Sequence, residues 1–273
     1  MASTLANRTK LITRHLTTAA KSIMSDAKHP ITLYTAQTPN GVKVSILLEE
    51  LGLPYNVRTI SFDKTEQKEP WFLEINPNGR IPALTDSSFD NGKGINLMES
   101  GCILQYLVET YDKDHKISYP HGTAEYWDVQ QWVYFQNAGV GPMQGQANHF
   151  YRYAPEKIPY GINRYQTETA RLYGVLNTRL EQQAKKGSGF LVGDKLTIAD
   201  ITTYGWVRSA GWAGIDIENF PALKKWEELL DEREGFKKGR DVPTPSRIKE
   251  MAKDEEAAKR EAAKASAWIM KKD

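Results

Sequence analysis

The chain has 273 residues, with 40% hydrophobic, 26% charged and 10% aromatic side chains and a net charge of +2. That is the balance of a folded globular protein, one large domain or two ordinary ones. It excludes a general nucleic-acid binder, which carries a clear excess of Lys and Arg, and no apolar run reaches the roughly 20 residues that span a bilayer. Cys102 is the only cysteine. An internal disulfide and a CxxC redox pair are therefore ruled out, and no metal site is expected. A lone thiol fits a reducing compartment such as the cytoplasm.

Residues 1–29 form a basic leader. It carries Arg8, Lys10, Arg14 and Lys21, no acid before Asp26, and many Ser and Thr. The composition suits a mitochondrial presequence. It equally suits a disordered polar leader, and Met24-Ser25-Asp26 offers a start closer to the folded part. Ile31-Thr32-Leu33-Tyr34-Thr35 alternates and is rich in β-formers, so it is expected to be a strand. Thr38-Pro39-Asn40-Gly41 is a turn. Val44, Leu47, Leu48 and Leu51 then repeat at i, i+3, i+4 and i+7, the period of an amphipathic helix, which Gly52 ends. A second strand runs from Pro54 to Ile60. The unit is too short for a dinucleotide fold and lacks GxGxxG.

Asn76-Pro77-Asn78-Gly79 signals a turn. Ile81-Pro82-Ala83-Leu84 is a strand that opens on proline, which is tolerated at that end. Asn91-Gly92 marks a hairpin tip and Ile95-Asn96-Leu97 the returning strand. Glu99-Ser100 opens a helix with Ile103, Tyr106 and Leu107 on its inner face. The order is β-α-β, then β-β-α. Residues 30–112 thus read as an α/β thioredoxin-like domain, and the polar stretch 113–123 as a linker.

Residues 124–240 show helical periods and no strand, an all-α domain. Thr197-Ile198-Ala199-Asp200 has the form of a capping box ahead of a helix from 198 to about 210. Phe220-Pro221 opens another, with Leu223, Trp226 and Leu230 inward. The tail 241–273 follows Pro243 and Pro245. It reads as a charged, solvated helix with Glu255/Lys259 and Glu256/Arg260 as i,i+4 pairs and Trp268 as its docking residue.

Asn78-Gly79-Arg80-Ile81-Pro82-Ala83-Leu84, Glu99-Ser100 and Thr197-Ile198-Ala199-Asp200 stand in an order and spacing that resemble the glutathione S-transferase superfamily over residues 30–240. Thr38-Pro39-Asn40-Gly41 with Lys43, the block Gly139–Gln146 and the block Ile158–Tyr165 sharpen the likeness. They resemble the branch of bacterial Nu-class enzymes and fungal nitrogen-regulator-like transferases. The resemblance implies glutathione as cosubstrate, a small electrophile or disulfide as second substrate, a homodimer, and no nucleic-acid or membrane partner. It implies a disulfide-bond oxidoreductase with weak transferase and peroxidase activity and a place in detoxification. The alternative is a non-catalytic regulatory or assembly protein of the same fold.

Glutathione needs donors for its two carboxylates and something to favour its thiolate, since a cysteine thiol titrates near ~8.5. The helix starting near Asn40 presents free N–H groups and a partial positive charge. Thr38 and Asn40 can add a hydroxyl and an amide, and they are the candidate catalytic residues. The alternative for this segment is a tight turn and helix cap. The resemblance implies a cis bond at Pro82, turning the Ile81 backbone toward the cysteinyl peptide, with Arg80 beside it. It gives Glu99 the α-ammonium, and Ser100 with its helix amides the α-carboxylate. Ser100 can also be an N-cap. Arg164 and His149 are expected near a glutathione carboxylate or thiolate, or else as polar rim residues. Tyr34 lies within the first strand and is expected to be structural. Cys102 is expected to be a small buried hydrophobe. The chain departs from the family in lacking Ser, Tyr or Cys as thiol activator, and in having Gly101 where several relatives carry Arg.

Overall fold

The structure, a computed structural model, describes residues 28–269. The leader expected over 1–29 lies almost wholly outside the described residues, as does the side chain of Trp268. By packing, the chain divides into two compact units. One holds residues up to Ala36 together with Pro54–Glu99; the other holds Gln37–Leu53 and the chain from Ser100 onward. This division follows packing, whereas the boundary drawn at 112 follows chain order.

The first unit is a four-stranded mixed sheet, ordered β2-β1-β3-β4. Its strands are β1 (Ile31–Thr35), β2 (Tyr55–Thr59), β3 (Ala83–Asp86) and β4 (Ile95–Met98). β1 pairs parallel to β2 and antiparallel to β3, with Leu33 opposite both Val57 and Leu84. β3 and β4 are antiparallel, Leu84 opposite Leu97. The returning strand is as expected, but its hairpin tip is longer than Asn91-Gly92. A helical turn at Phe89–Gly92 intervenes, with Asp90 and Asn91 both in the left-handed region. On one face Tyr34 meets the short α2 (Pro70–Leu73) edge-on through Phe72, with Trp71 tilted beside it. Ile60 and Ala83 complete that cluster.

The second unit is helical among its described residues. It comprises α1 (Gly41–Leu51), α3 (Ser100–Tyr111), α4 (Ala124–Phe135), α5 (Gly141–Asn148), α6 (Pro159–Ala184), α7 (Ile198–Arg208), α8 (Pro221–Asp231), α9 (Glu234–Arg240), α10 (Ile248–Lys253) and α11 (Glu255–Ile269). Single π-helical turns at 136–140 and 149–153 flank α5, a disturbance often seen beside functional sites. α1 packs on α9 because Gly239 has no side chain: a Cβ there would stand 2.4 Å from the Ile46 Cα. Arg233 clamps Glu50 with two bonds of 3.0 and 2.7 Å.

The capping box forms as the sequence predicts. Thr197 Oγ1 accepts the Ala199 N–H, and Asp200 Oδ2 accepts the Thr197 N–H at 3.0 Å. The other Asp200 oxygen accepts from Leu191 N and Trp226 Nε1, both at 2.9 Å. The stretch read as a linker is ordered by Asp112, whose carboxylate takes the N–H groups of Lys116 and Ile117 at 2.8 Å.

The tail differs from expectation. Glu255 pairs with Arg152 at 3.1 Å and Lys259 with Glu256 at 3.0 Å, in place of the i,i+4 pairs. α11 is solvated along its charged face and docked along the other: Ala258 and Ala262 are buried on Trp212, and the Ser266 hydroxyl donates to the Tyr153 carbonyl at 2.8 Å. Small side chains let the helix approach the indole, and this long-range contact leaves no mark in the local charge pattern.

Candidate functional site

In the sheet unit, the turn before β3 is built around Asn76, which is buried. Its Oδ1 accepts the Asn78 N–H at 2.9 Å, and its Nδ2 donates to the Arg80 carbonyl at 2.7 Å. Gly79 follows with φ +62, where a Cβ would lie 2.9 Å from the Gln67 carbonyl oxygen, so glycine is required twice over. The Ile81–Pro82 bond is cis. Pairing of β3 with β4 begins only at Ala83, so Ile81 stands just outside the ladder. The Arg80 side chain is exposed. Glu99 closes the unit with φ +67 and an exposed side chain. A non-glycine residue held there is strained by about 1–3 kcal/mol, a cost that tends to persist where function requires the geometry.

In the helical unit, the segment before α1 is both a cap and a set of donors. The Thr38 Oγ1 accepts the Gly41 N–H at 3.0 Å, and the Thr38 carbonyl accepts the Val42 N–H at 3.2 Å. The hydroxyl thereby uses a lone pair and keeps its proton to donate. Asn40 sits at the N-cap position but makes no side-chain cap. Its Oδ1 instead accepts from Trp206 Nε1 at 2.9 Å.

Ser100 is the first residue of α3 and is buried. Its hydroxyl accepts from Lys43 Nζ at 3.1 Å, so its proton too remains available. Lys43, which entered the sequence analysis only as part of a family block, is the neighbour of Ser100 that was given no role there. It is 1% exposed and also donates to Gln136 Oε1 at 2.6 Å. A lone cation inside the apolar run Gly41–Leu48 was the signal. Beside it, Gly101 has a physical reason: a Cβ there would stand 2.4 Å from Asn137 Nδ2. The amide of Asn137 occupies the space a larger residue at 101 would need.

Tyr34 is structural, as expected. It is 1% exposed, and burial pushes its phenol up, away from easy ionisation. Cys102 corrects the reading, because it is exposed. The buried positions of α3 are Ser100, Gly101, Ile103, Leu104, Leu107 and Val108. Helix phase turns Cys102 to the opposite face, and phase outweighs the usual preference of cysteine for burial. His149 lies edge-on to Phe150, whose ring stacks on Tyr165 at 5.4 Å and fills the space above Gly161. The segments that carry His149 and Arg164 are thus joined by packing. Arg164 is half exposed, with Glu168 at 4.0 Å. Among the described residues no hydrogen bond joins His149 or Arg164 to Thr38, Asn40 or Ser100. No group of His, Cys, Asp and Glu among the described residues could hold a metal, and no helix among them is long and apolar enough to cross a membrane.

A cavity of about 90 Å³ opens beside Thr38, walled by Val42, Gly205, Arg208, Ile248 and Met251. Within the helical unit, Thr38 and Ser100 each keep a hydroxyl proton that a small anionic ligand could take. The comparisons say which ligand the family holds. The glutathione S-transferase N-terminal and C-terminal domain families match residues 29–109 and 162–234. The disulfide-bond oxidoreductase YfcG of Escherichia coli K12 is 44% identical over 204 residues, 74% of this chain and 91% of that protein. A glutathione transferase homologue from Lodderomyces elongisporus, solved with two glutathiones per subunit, is 50% identical with a TM-score of 0.76, over 78% of this chain and 99% of that one. The transferase URE2P6 of Phanerochaete chrysosporium, solved with oxidised glutathione, is 44% identical with a TM-score of 0.72, over 78% and 95%. The chain belongs to the glutathione S-transferase family, and it is a glutathione-dependent enzyme of the branch that its Thr38, Gly139 and Ile158 blocks resemble.

Proposed function

We propose that the protein is a glutathione-dependent disulfide reductase, with weak transferase and peroxidase activity, in which the thiolate of bound glutathione is the nucleophile. The observation that carries this is the donor pair before α1. The Thr38 hydroxyl keeps its proton because its lone pair caps Gly41, and Asn40 keeps its amide hydrogens because its oxygen is occupied. Hydrogen bonds to an ionised sulfur favour the thiolate. The γ-glutamyl end goes to Glu99 and Ser100, consecutive in the chain, and the cysteinyl peptide to the Ile81 backbone, with Arg80 beside it. Arg164 or His149 would face the added charge of a second glutathione or a mixed disulfide.

The chemistry is thiol–disulfide exchange. The glutathione thiolate attacks one sulfur of a small disulfide, a new S–S bond forms, and the other sulfur leaves as a thiolate that takes a proton. A second glutathione then displaces the mixed disulfide. Two glutathiones are oxidised to glutathione disulfide and one substrate disulfide is reduced to two thiols. The name of the Escherichia coli relative and the oxidised glutathione held by the fungal one both support this reading. It is tested by reduction of hydroxyethyl disulfide coupled to glutathione reductase. Loss of activity is expected in the Thr38→Ala/Asn40→Ala double variant; wild-type turnover there would sink the assignment. We also propose a homodimer, checked by light scattering at micromolar concentration, where a monomer would count against it.

A further inference from the structure

Asn40 carries an ambiguous side chain. An amide presents an acceptor on one side and donors on the other, and a half-turn exchanges them. Toward a thiolate the two orientations have opposite effects: Nδ2 attracts it and Oδ1 repels it. What sets the orientation here is Trp206. An indole N–H can only donate, and it meets Asn40 at Oδ1, 2.9 Å away. Nδ2 is left with no partner among the described residues.

The indole is itself held from several directions within the helical unit. Its ring lies along α5 where two glycines a turn apart leave a groove. A Cβ on Gly141 would stand 3.4 Å from the ring and one on Gly145 3.7 Å. The Trp206 carbonyl accepts from Gln144 Nε2 at 2.8 Å, and Gln144 is in turn bonded to the Tyr173 hydroxyl at 2.7 Å. Gly205 lets α7 come down on the Pro39 backbone, since a Cβ there would be 2.6 Å from the Pro39 carbonyl oxygen. Trp206 is 8% exposed, and a buried indole N–H needs an acceptor. Rotating the Asn40 amide would cost that bond and set one N–H against another.

We propose that Trp206 is a positioning residue for the glutathione thiolate: by occupying Asn40 Oδ1 it presents Nδ2 to the sulfur. The inference rests on the reading that the thiol sits at Thr38 and Asn40, and it assigns Trp206 a part in setting thiol acidity beyond filling the groove. It is tested by following the ultraviolet absorbance of the thiolate against pH with glutathione bound to wild type, Trp206→Phe, Asn40→Ala and the double variant. Trp206→Phe is expected to raise the thiol pKa by about one unit, the size of one lost charge-assisted hydrogen bond. The double variant is expected to match Asn40→Ala, because Trp206 acts only through that amide. A raised pKa in Asn40→Ala with a wild-type value in Trp206→Phe overturns the inference alone, as do two effects that add. An unchanged pKa in Asn40→Ala overturns the thiol site and the inference with it. Should Trp206→Phe fail to fold, 3-benzothienylalanine at position 206 keeps the ring and removes only the N–H, and the same rise is expected.

Discussion

Gly205→Ala isolates the approach of α7 to the turn before α1. The new Cβ would fall 2.6 Å from the Pro39 carbonyl oxygen and 3.0 Å from Val42 Cγ2, against an ordinary contact of 3.4 Å or more. The first obstacle is backbone, so relief needs a shift of about 0.8 Å between α7 and the turn, overpacking that costs about 1–3 kcal/mol. Alanine in a helix interior recovers about 0.8–1.0 kcal/mol over glycine. The net is a loss of up to about 2 kcal/mol, or ~2–4 °C of melting temperature for each kcal/mol. The same shift stretches the 2.9 Å bond from Trp206 to Asn40 beyond about 3.6 Å, where it ceases to be a hydrogen bond. Turnover with glutathione is therefore expected to fall as well. The matched control is Gly174→Ala in α6, whose Cβ would meet nothing within 4 Å; it should stabilise by up to about 1 kcal/mol. Thermal melts and the coupled disulfide assay on both variants decide the matter. Equal stabilisation of the two, with activity intact, would refute the close approach.

Lys43→Met removes a donor from Ser100 and from Gln136; glutathione affinity by calorimetry should drop by about tenfold, ~1.4 kcal/mol, and an unchanged Kd would deny Lys43 its part. For Asp231, burial pulls the carboxyl upward, but Lys249, Tyr204 and Arg208 outweigh it and hold the group below the usual carboxylate range. A depressed folded pKa gives stability that is present above about pH 4 and lost as pH falls through the folded value. Asp231→Asn should thus be less stable than wild type at neutral pH, with the gap closing in strong acid; a gap that stays constant with pH would contradict this. Cys102→Ser should leave folding and disulfide reduction unchanged, and loss of turnover with the fold intact would move the chemistry to the protein's own thiol.

What the sequence made legible was whatever is written locally. The alternation of Ile31–Thr35, the leucine period after Gly41 and the Thr197–Asp200 cap each encode their own geometry within a few residues, and each is found in place. The cap also shows the limit. Its second carboxylate oxygen reaches Leu191 and Trp226, and no local pattern names them. Lys43 stood in the sequence as one member of a family block, and only the fold shows that it lies under Ser100. Cys102 was misjudged because residue type was weighed ahead of the helix phase set by Ile103, Leu104 and Leu107. Trp206 could not have been linked to Asn40, 166 positions away, although the glycines that seat its ring were noted as a block.

The segment after α9 also has a practical bearing. Gln37, next to the donor turn, gives its amide hydrogens to the carbonyls of Arg240 and Thr244, and Ile248 and Met251 wall the cavity beside Thr38. Trimming the chain at Arg240, as one would to discard an idle extension before crystallisation, would remove one wall of that chamber and unfasten the residue that leads into the turn. A clipped preparation would lack that wall and that fastening, so its activity should be compared with that of the intact protein before either is taken as the enzyme's own.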